Sequence, residues 1–308
     1  MSPKRLLCAA AVCLCFAGAS AFAQTAAPAA EPAAAPDMNS QTPAAPAPEP
    51  ATPPAPAPAA PVATAPRPAP AAPMSGPVRN VVLVHGAFVD GSSWNGVIAK
   101  LQQKGYHVSS VQNPLTSLAD DVAALRRVLA RQDGPTILVG HSWGGVVITE
   151  AGGSNAPNVA GLVYIAAIAP DLHESTMDLM KRAAPAPAGD SIITDPSGFL
   201  WLDRTKYHAD FAADVPENLT RVLSAAQQPI AAKAFTETVS HVAWKEKPSW
   251  YVLTTKDRTV SPEIEKFMAD RMGARIVPMA SSHLAPVSHA GAVADVIDRA
   301  ARELSRQQ

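Results

Sequence analysis

Up to residue 77 the chain after Phe22 has almost no large apolar positions, whereas from Val78 onward apolar and polar positions fall into regular periods. Asn80-Val81-Val82-Leu83-Val84-His85 is a short β-branched run closed by Gly86, the pattern of a strand buried on both faces. Residues 93–104 then place Trp94, Val97, Ile98 and Leu101 at helical spacing and stop at Gly105. Residues 107–111 read as a second strand. Residues 118–130 read as a helix with Leu118, Val122, Leu125 and Leu129 on one face. A third strand (135–139), a helix beginning at Gly144 and a fourth strand (159–165) continue the alternation. It lapses over 170–247, where Met177, Leu179, Phe199, Trp201, Phe211 and Phe235 lie scattered among polar residues and prolines. It resumes with a strand (249–253), a helix (262–272) opened by the Ser261-Pro262 start signal, a strand (274–277) and a final helix (290–304). Continuous apolar strands alternating with helices predict an α/β fold. Its sheet is mostly parallel, flanked by helices on both faces, with 170–247 inserted as a helical cap above the carboxyl edge.

The N-terminal portion follows other rules. Lys4 and Arg5 precede a short apolar stretch from Leu6 to Phe16, and Ala21-Phe22-Ala23 gives the small-x-small pattern of a cleavage site. Residues 1–23 therefore read as a secretory signal, with Gln24 as the mature N-terminus and a periplasmic or secreted destination. The apolar run is too short for a membrane span. No Cys follows a small residue there, which argues against a lipoprotein signal. Seventeen of the 31 prolines fall within 24–77, a tract too poor in large apolar residues to offset the entropy of ordering. That tract is expected to be a disordered Ala/Pro-rich linker. It is either a semi-rigid spacer holding the domain off a surface or partner, or a leader with no further role. The remaining residues, 78–308, suffice for one sizeable core.

Composition removes several function classes. Lys plus Arg total 25 against 26 Asp plus Glu, so there is no electrostatic footprint for nucleic acid. Nothing after Gln24 is apolar for long enough to span a membrane. Cys8, Cys13 and Cys15 all lie inside the expected signal, so the mature chain has no thiol nucleophile, disulfide or cysteine-bound zinc. Zincin and phosphate-loop patterns are absent from the sequence.

One motif carries chemistry. Gly140-His141-Ser142-Trp143-Gly144 is G-x-S-x-G, preceded by a buried strand and followed at once by a helix. That context puts Ser142 on a tight turn that forces its hydroxyl outward. A hydroxyl is a weak nucleophile and needs a base, itself oriented by an acid. The base is expected in a loop after a late strand, where His283 stands; His289, at the start of the last helix, is the competitor. His141 reads as a packing or supporting residue. The acid is expected after a strand between the two: Asp257 fits, Asp171 is the other possible site, and Arg258 could instead pair with Asp257 at the surface. Two backbone donors are needed where an oxyanion develops. The Trp143 amide is one. The loop His85-Gly86-Ala87-Phe88 supplies the other, with Ala87 the first choice and Phe88 the second.

Together, His85-Gly86-Ala87 with Trp94 downstream, Gly140 to Gly145, Asp257-Arg258 and Ser282-His283 resemble the α/β-hydrolase superfamily. Within it they resemble the branch of plant methylesterases, hydroxynitrile lyases and related bacterial esterases. The resemblance implies that Ser142, His283 and Asp257 form a triad and that 170–247 forms a cap. The lyases resembled carry a Thr where this chain has Gly86 and a Lys where it has Leu284, groups that serve cyanohydrin chemistry; their absence points to hydrolysis. The expectation is an exported serine esterase acting on a small-molecule ester, with the apolar cap residues either facing a hydrophobic portion of it or packing a small core of the cap itself. No cofactor or metal is required. A cofactor-free lyase, amidase or acyltransferase on the same triad, and a non-enzymatic cap-gated ligand-binding module, are the alternatives.

Overall fold

A computed structural model describes residues 76–307. The expected signal (1–23) and all but the last two residues of the Ala/Pro tract (24–77) lie outside the described residues. In chain order the first half holds β1 (Asn80–Val84), α1 (Asn95–Gln103), β2 (His107–Val111), α2 (Leu118–Leu129), β3 (Thr136–His141), α3 (Gly144–Ala151) and β4 (Val159–Ile165). Then come α4 (Thr176–Met180), β5 (Ile192–Thr194), β6 (Phe199–Leu202), α5 (Tyr207–Phe211), α6 (Glu217–Ala225) and β7 (Ile230–Ala231). The last part holds β8 (Ser249–Thr254), α7 (Pro262–Arg271), β9 (Arg275–Met279), α8 (Ala285–Ser288) and α9 (Ala290–Gln307).

Six strands pair in the order β2-β1-β3-β4-β8-β9, every pair parallel. Alternate residues of each central strand point to opposite faces, and both faces are buried. Val82, Val84 and Leu138 enter one hydrophobic cluster, while Val81, Leu83, Ile137 and Val139 enter the other. Helices α1 and α9 cover the second face, through Val97 and Leu101 of the one and Val293, Ile297 and Leu304 of the other. Helices α2, α3 and α7 cover the first. Among the described residues no helix is long and apolar enough to cross a membrane.

Three local departures have physical causes. The side chain of Asp90 caps a 3-10 turn over Gly91–Trp94, so α1 starts only at Asn95 although the apolar spacing begins earlier. Strand β9 runs on through Pro278 to Met279, where the sequence pattern stops at Val277. It is an edge strand, and an edge position tolerates the missing donor of proline. The insertion is not purely helical: β5, β6 and β7 form a small antiparallel sheet beside its short helices.

The sheet order places the site. From β1 the chain moves outward to β2, then returns across β1 to β3 and continues the other way, so the loops after β1 and β3 diverge at a topological switch point. Val84 lies in register with Gly140, which sets the loop holding Ala87 beside the turn holding Ser142. The loops after β8 and β9, which carry Asp257 and His283, open on the same carboxyl edge.

Candidate active site

Ser142 occupies the turn between β3 and α3 with φ at +52°, left-handed backbone that a non-glycine residue adopts only when its surroundings hold it there. The amide of Ser142 donates to the Ile165 carbonyl at 3.2 Å, and its carbonyl accepts from Gly145 at 2.9 Å and Ile168 at 3.0 Å. At Gly144 a Cβ would run into the Val84 carbonyl oxygen, which is why the turn needs glycine there.

The structure brings His283 and Asp257 together. His283 Nδ1 lies 2.6 Å from Asp257 Oδ2, and both side chains are fully buried. Asp257 Oδ1 also accepts from the amides of Thr259 at 2.7 Å and Val260 at 2.9 Å. Burial alone would raise the Asp257 carboxyl, but the facing His283 charge and these hydrogen bonds outweigh it and hold the group below its ordinary value. With Nδ1–H donated to a carboxylate, the lone pair of the neutral ring sits on Nε2, which is buried and meets no hydrogen-bond partner among the described residues. Arg258 is not the partner of Asp257. Its guanidinium turns to Asp210 in the cap, at 3.0 and 3.1 Å.

The other candidates separate cleanly. His289 lies by Ser288 at 2.8 Å and Asp214 at 3.4 Å, half-exposed and outside the pair. Asp171 is held by Lys245 and by the amide of Leu172, and does not reach His283. His141 has a supporting place: its Nε2 donates to the His283 carbonyl at 2.9 Å, with the two rings 4.9 Å apart. Burial, and next the His283 charge, lower the pKa of His141 to about 3, so it stays neutral at working pH.

Of the two loop amides considered, that of Phe88 is engaged. The Phe88 amide donates to the Gln228 carbonyl of the cap at 3.0 Å, and the Phe88 carbonyl accepts from the Tyr207 hydroxyl at 3.0 Å. That amide is occupied. His85 holds the peptide between Gly86 and Ala87. Its Nε2 accepts from the Asn113 amide at 3.0 Å, so Nδ1 carries the proton and donates to the Gly86 carbonyl at 2.9 Å. The Ala87 N–H leaves that same peptide on the opposite side. Among the described residues, neither the Ala87 nor the Trp143 amide donates to a loop, turn or side-chain acceptor. The Trp143 indole donates to Asp121 Oδ2 at 2.7 Å.

A cavity of about 560 Å³ opens over Ser142, Ala87 and Trp143. Its walls are mostly apolar: Ile168 and Val260 from the core, Met180, Ile192, Phe211 and Phe235 from the cap. The Phe211 ring packs 5.1 Å from the His283 ring, so the cap also shields the imidazole. Among the described residues no three His, Cys, Asp or Glu side chains gather as a metal site would require.

Sequence reasoning missed Asp121, Asn113, Thr254 and Glu265. Two of these left a signal. Asp121 stands three residues after Leu118 on the apolar stripe of α2, and Glu265 three before Met268 on the buried stripe of α7. A carboxylate on a core-facing stripe must have partners.

A serine on a strained strand-to-helix turn and a buried His-Asp pair, both at the carboxyl edge of a parallel sheet, define a candidate nucleophile-elbow enzyme of the α/β class. The chain belongs to the alpha/beta hydrolase family, whose model matches residues 81–296. It is 34% identical over 161 residues to a carbendazim hydrolyzing esterase of Nocardioides sp. (strain SG-4G), covering 48% of this chain and 64% of that protein, so the match spans under two thirds of the relative. It is 27% identical over 164 residues to methylesterase 7 of Arabidopsis thaliana, covering 47% of this chain and 59% of that one. In fold it is similar to a pyrethroid hydrolase, with a TM-score of 0.65 at 22% identity over 73% of this chain and 98% of the other.

Proposed function

We propose that the chain is an exported serine hydrolase that cleaves carboxylic esters carrying a hydrophobic portion, through an acyl-enzyme on Ser142. The observation that supports this reading is the buried His283–Asp257 pair, whose Nε2 meets no hydrogen-bond partner among the described residues, on the same carboxyl edge as Ser142, over which an apolar cavity opens. His283 Nε2 takes the Ser142 proton as the hydroxyl oxygen attacks the ester carbonyl. Asp257 holds the ring and stabilises the imidazolium that forms. The amides of Ala87 and Trp143 donate to the developing oxyanion, a contribution of about 3–4 kcal/mol per donor in such sites. His283 then gives its proton to the leaving alcohol and activates water for deacylation. The esterase and methylesterase names of the sequence relatives support this reaction class. The buried Leu284, where the lyases resembled carry an ammonium, supports hydrolysis over cyanohydrin cleavage. Residues 1–23 would direct export, 24–77 would form a spacer, and 78–308 would be the hydrolase unit.

A series of p-nitrophenyl esters of increasing acyl length, given to the full chain and to its Ser142→Ala and His283→Ala variants, tests the reaction. Nitrophenol release by the wild type alone, rising with acyl length until the cavity is filled, is expected. No release with any ester from folded protein, or equal release by Ser142→Ala, overturns it. N-terminal sequencing of protein from the periplasmic and culture fractions tests export. A Gln24 start is expected, and protein retained in the cell with an intact Met1 contradicts it.

A further inference from the structure

Behind the His283–Asp257 pair a second carboxylate is buried that the mechanism above does not use. Glu265, on α7, has no exposed surface. Its Oε2 accepts from the Thr254 amide at 2.9 Å, and its Oε1 lies 2.6 Å from Thr254 Oγ1. The same Thr254 hydroxyl oxygen lies 2.9 Å from Asp257 Oδ2, the atom that faces His283 Nδ1. One hydroxyl thus stands between two carboxylates, and a hydroxyl has one proton. If both acids were ionised, one of these two short contacts would hold no proton. The nearby cations do not resolve the conflict: Lys266 pairs with Asp270, Arg271 with Glu174 and Arg258 with Asp210. The titratable groups acting with Glu265 are Asp257 from the loop after β8 and Tyr251 from β8 itself, whose hydroxyl donates to the Ala167 carbonyl.

We propose that Glu265 is held as a neutral carboxylic acid and serves as a positioning residue for Asp257. Its Oε1–H donates to Thr254 Oγ1, which fixes the Thr254 proton on Asp257 Oδ2. The chain of donors then runs one way, from Glu265 through Thr254 to Asp257, with His283 Nδ1–H closing on the same carboxylate from the other side. Asp257 remains the single negative charge of the cluster and is held in place by donors on both oxygens. Burial, and next the Asp257 charge, push the Glu265 carboxyl well above its ordinary range, in the same direction as the proton count. The role of the chain of donors in catalysis rests on the Ser142, His283 and Asp257 reading; the protonation state of Glu265 does not.

The test therefore has two readouts on the full chain. The first is an NMR titration of the 15N-labelled His283 ring, identified by its loss in His283→Gln, and it needs no turnover. In Glu265→Gln the amide still donates to Thr254 Oγ1 and still accepts from the Thr254 amide, so the His283 midpoint is expected within about 0.3 pH unit of wild type. An ionised Glu265 would have been stabilising the imidazolium, and its removal would lower the midpoint by about one pH unit. That drop overturns the proposal. The second readout is Ser142-dependent ester turnover. Thr254→Val is expected to lower kcat about tenfold with KM little changed and Thr254→Ser to restore it, the loss of one aligned donor. Glu265→Ala is expected to lower kcat, and Glu265→Gln to recover most of the loss. Unchanged kcat in Thr254→Val, or a folded Glu265→Gln no better than Glu265→Ala, overturns it. If wild-type protein turns over no ester, the reaction proposed above falls while the titration still decides the state of Glu265.

Discussion

Asp257→Asn is nearly isosteric, yet its consequence follows from three of the donors around the carboxylate. Asp257 Oδ1 accepts from two backbone amides, Thr259 and Val260, while Oδ2 faces His283 Nδ1 at 2.6 Å. An Asn must place its carbonyl oxygen on the Oδ1 side, because an NH2 there would meet two N–H groups. Its NH2 then points at His283 Nδ1, which can only accept. The ring proton moves to Nε2, the nitrogen that has to take the proton of Ser142. Reaction proceeds only through the disfavoured tautomer, and kcat is expected to fall about 10³–10⁴-fold, or roughly 4–5.5 kcal/mol of barrier. Pre-steady-state nitrophenol release measures the loss, and circular dichroism with a thermal melt confirms the fold. The acid limb of the residual rate is expected at lower pH, since the anion that stabilised the imidazolium is gone. Asp171→Asn is the control and is expected within twofold of wild type, its carboxylate being engaged by Lys245 and the Leu172 amide. A loss under tenfold in Asp257→Asn, with Ser142 still required, would refute the tautomer argument.

Two further perturbations follow from the same geometry. A Cβ on Gly86 would come 2.6 Å from Ser142 Cβ and 3.0 Å from the His141 carbonyl oxygen, so Gly86→Ala must push the elbow. Thermal melts should show a loss of about 1–3 kcal/mol, and ester turnover a drop of about 10²-fold for a displacement near 1 Å; wild-type turnover would show that the loop yields freely. Asp121, fully buried beneath Trp143, has its carboxyl raised to about 6, mainly by burial. The folded chain therefore holds that proton more tightly than the unfolded one. Its contribution to stability is complete below about pH 4 and is lost as pH climbs through about 6, a swing of about 3 kcal/mol. Denaturant unfolding of wild type and Asp121→Asn between pH 4 and 7 should show the variant gaining relative to wild type by that amount as pH rises, and parallel curves would contradict it.

The part of the fold that was legible in the sequence is the part built from local pattern. Strands β1, β3, β4 and β8 are buried on both faces and so read as unbroken apolar runs, and Gly140 to Gly144 marks the elbow because strand, turn and helix are contiguous there. What the sequence withheld depends on contacts between distant residues. Strand β7 has two residues and exists only because β6 pairs with it. The Phe88 amide is occupied by Gln228, far along the chain, and no local signal says which amide of the loop is taken. Arg258 sits next to Asp257 in sequence and still turns to Asp210, because the cap brings a buried carboxylate within reach. Glu265 and Thr254 act as a cluster only once α7 packs on β8.

The most direct measurement of the central claim is mass spectrometry of the acid-quenched full chain after mixing with a long-chain p-nitrophenyl ester. The expected result is one added acyl group, mapped to the peptide that contains Ser142, absent from Ser142→Ala and accumulating in the first turnover. Nitrophenol release with no adduct at Ser142, or an adduct that persists in Ser142→Ala, would contradict a serine acyl-enzyme.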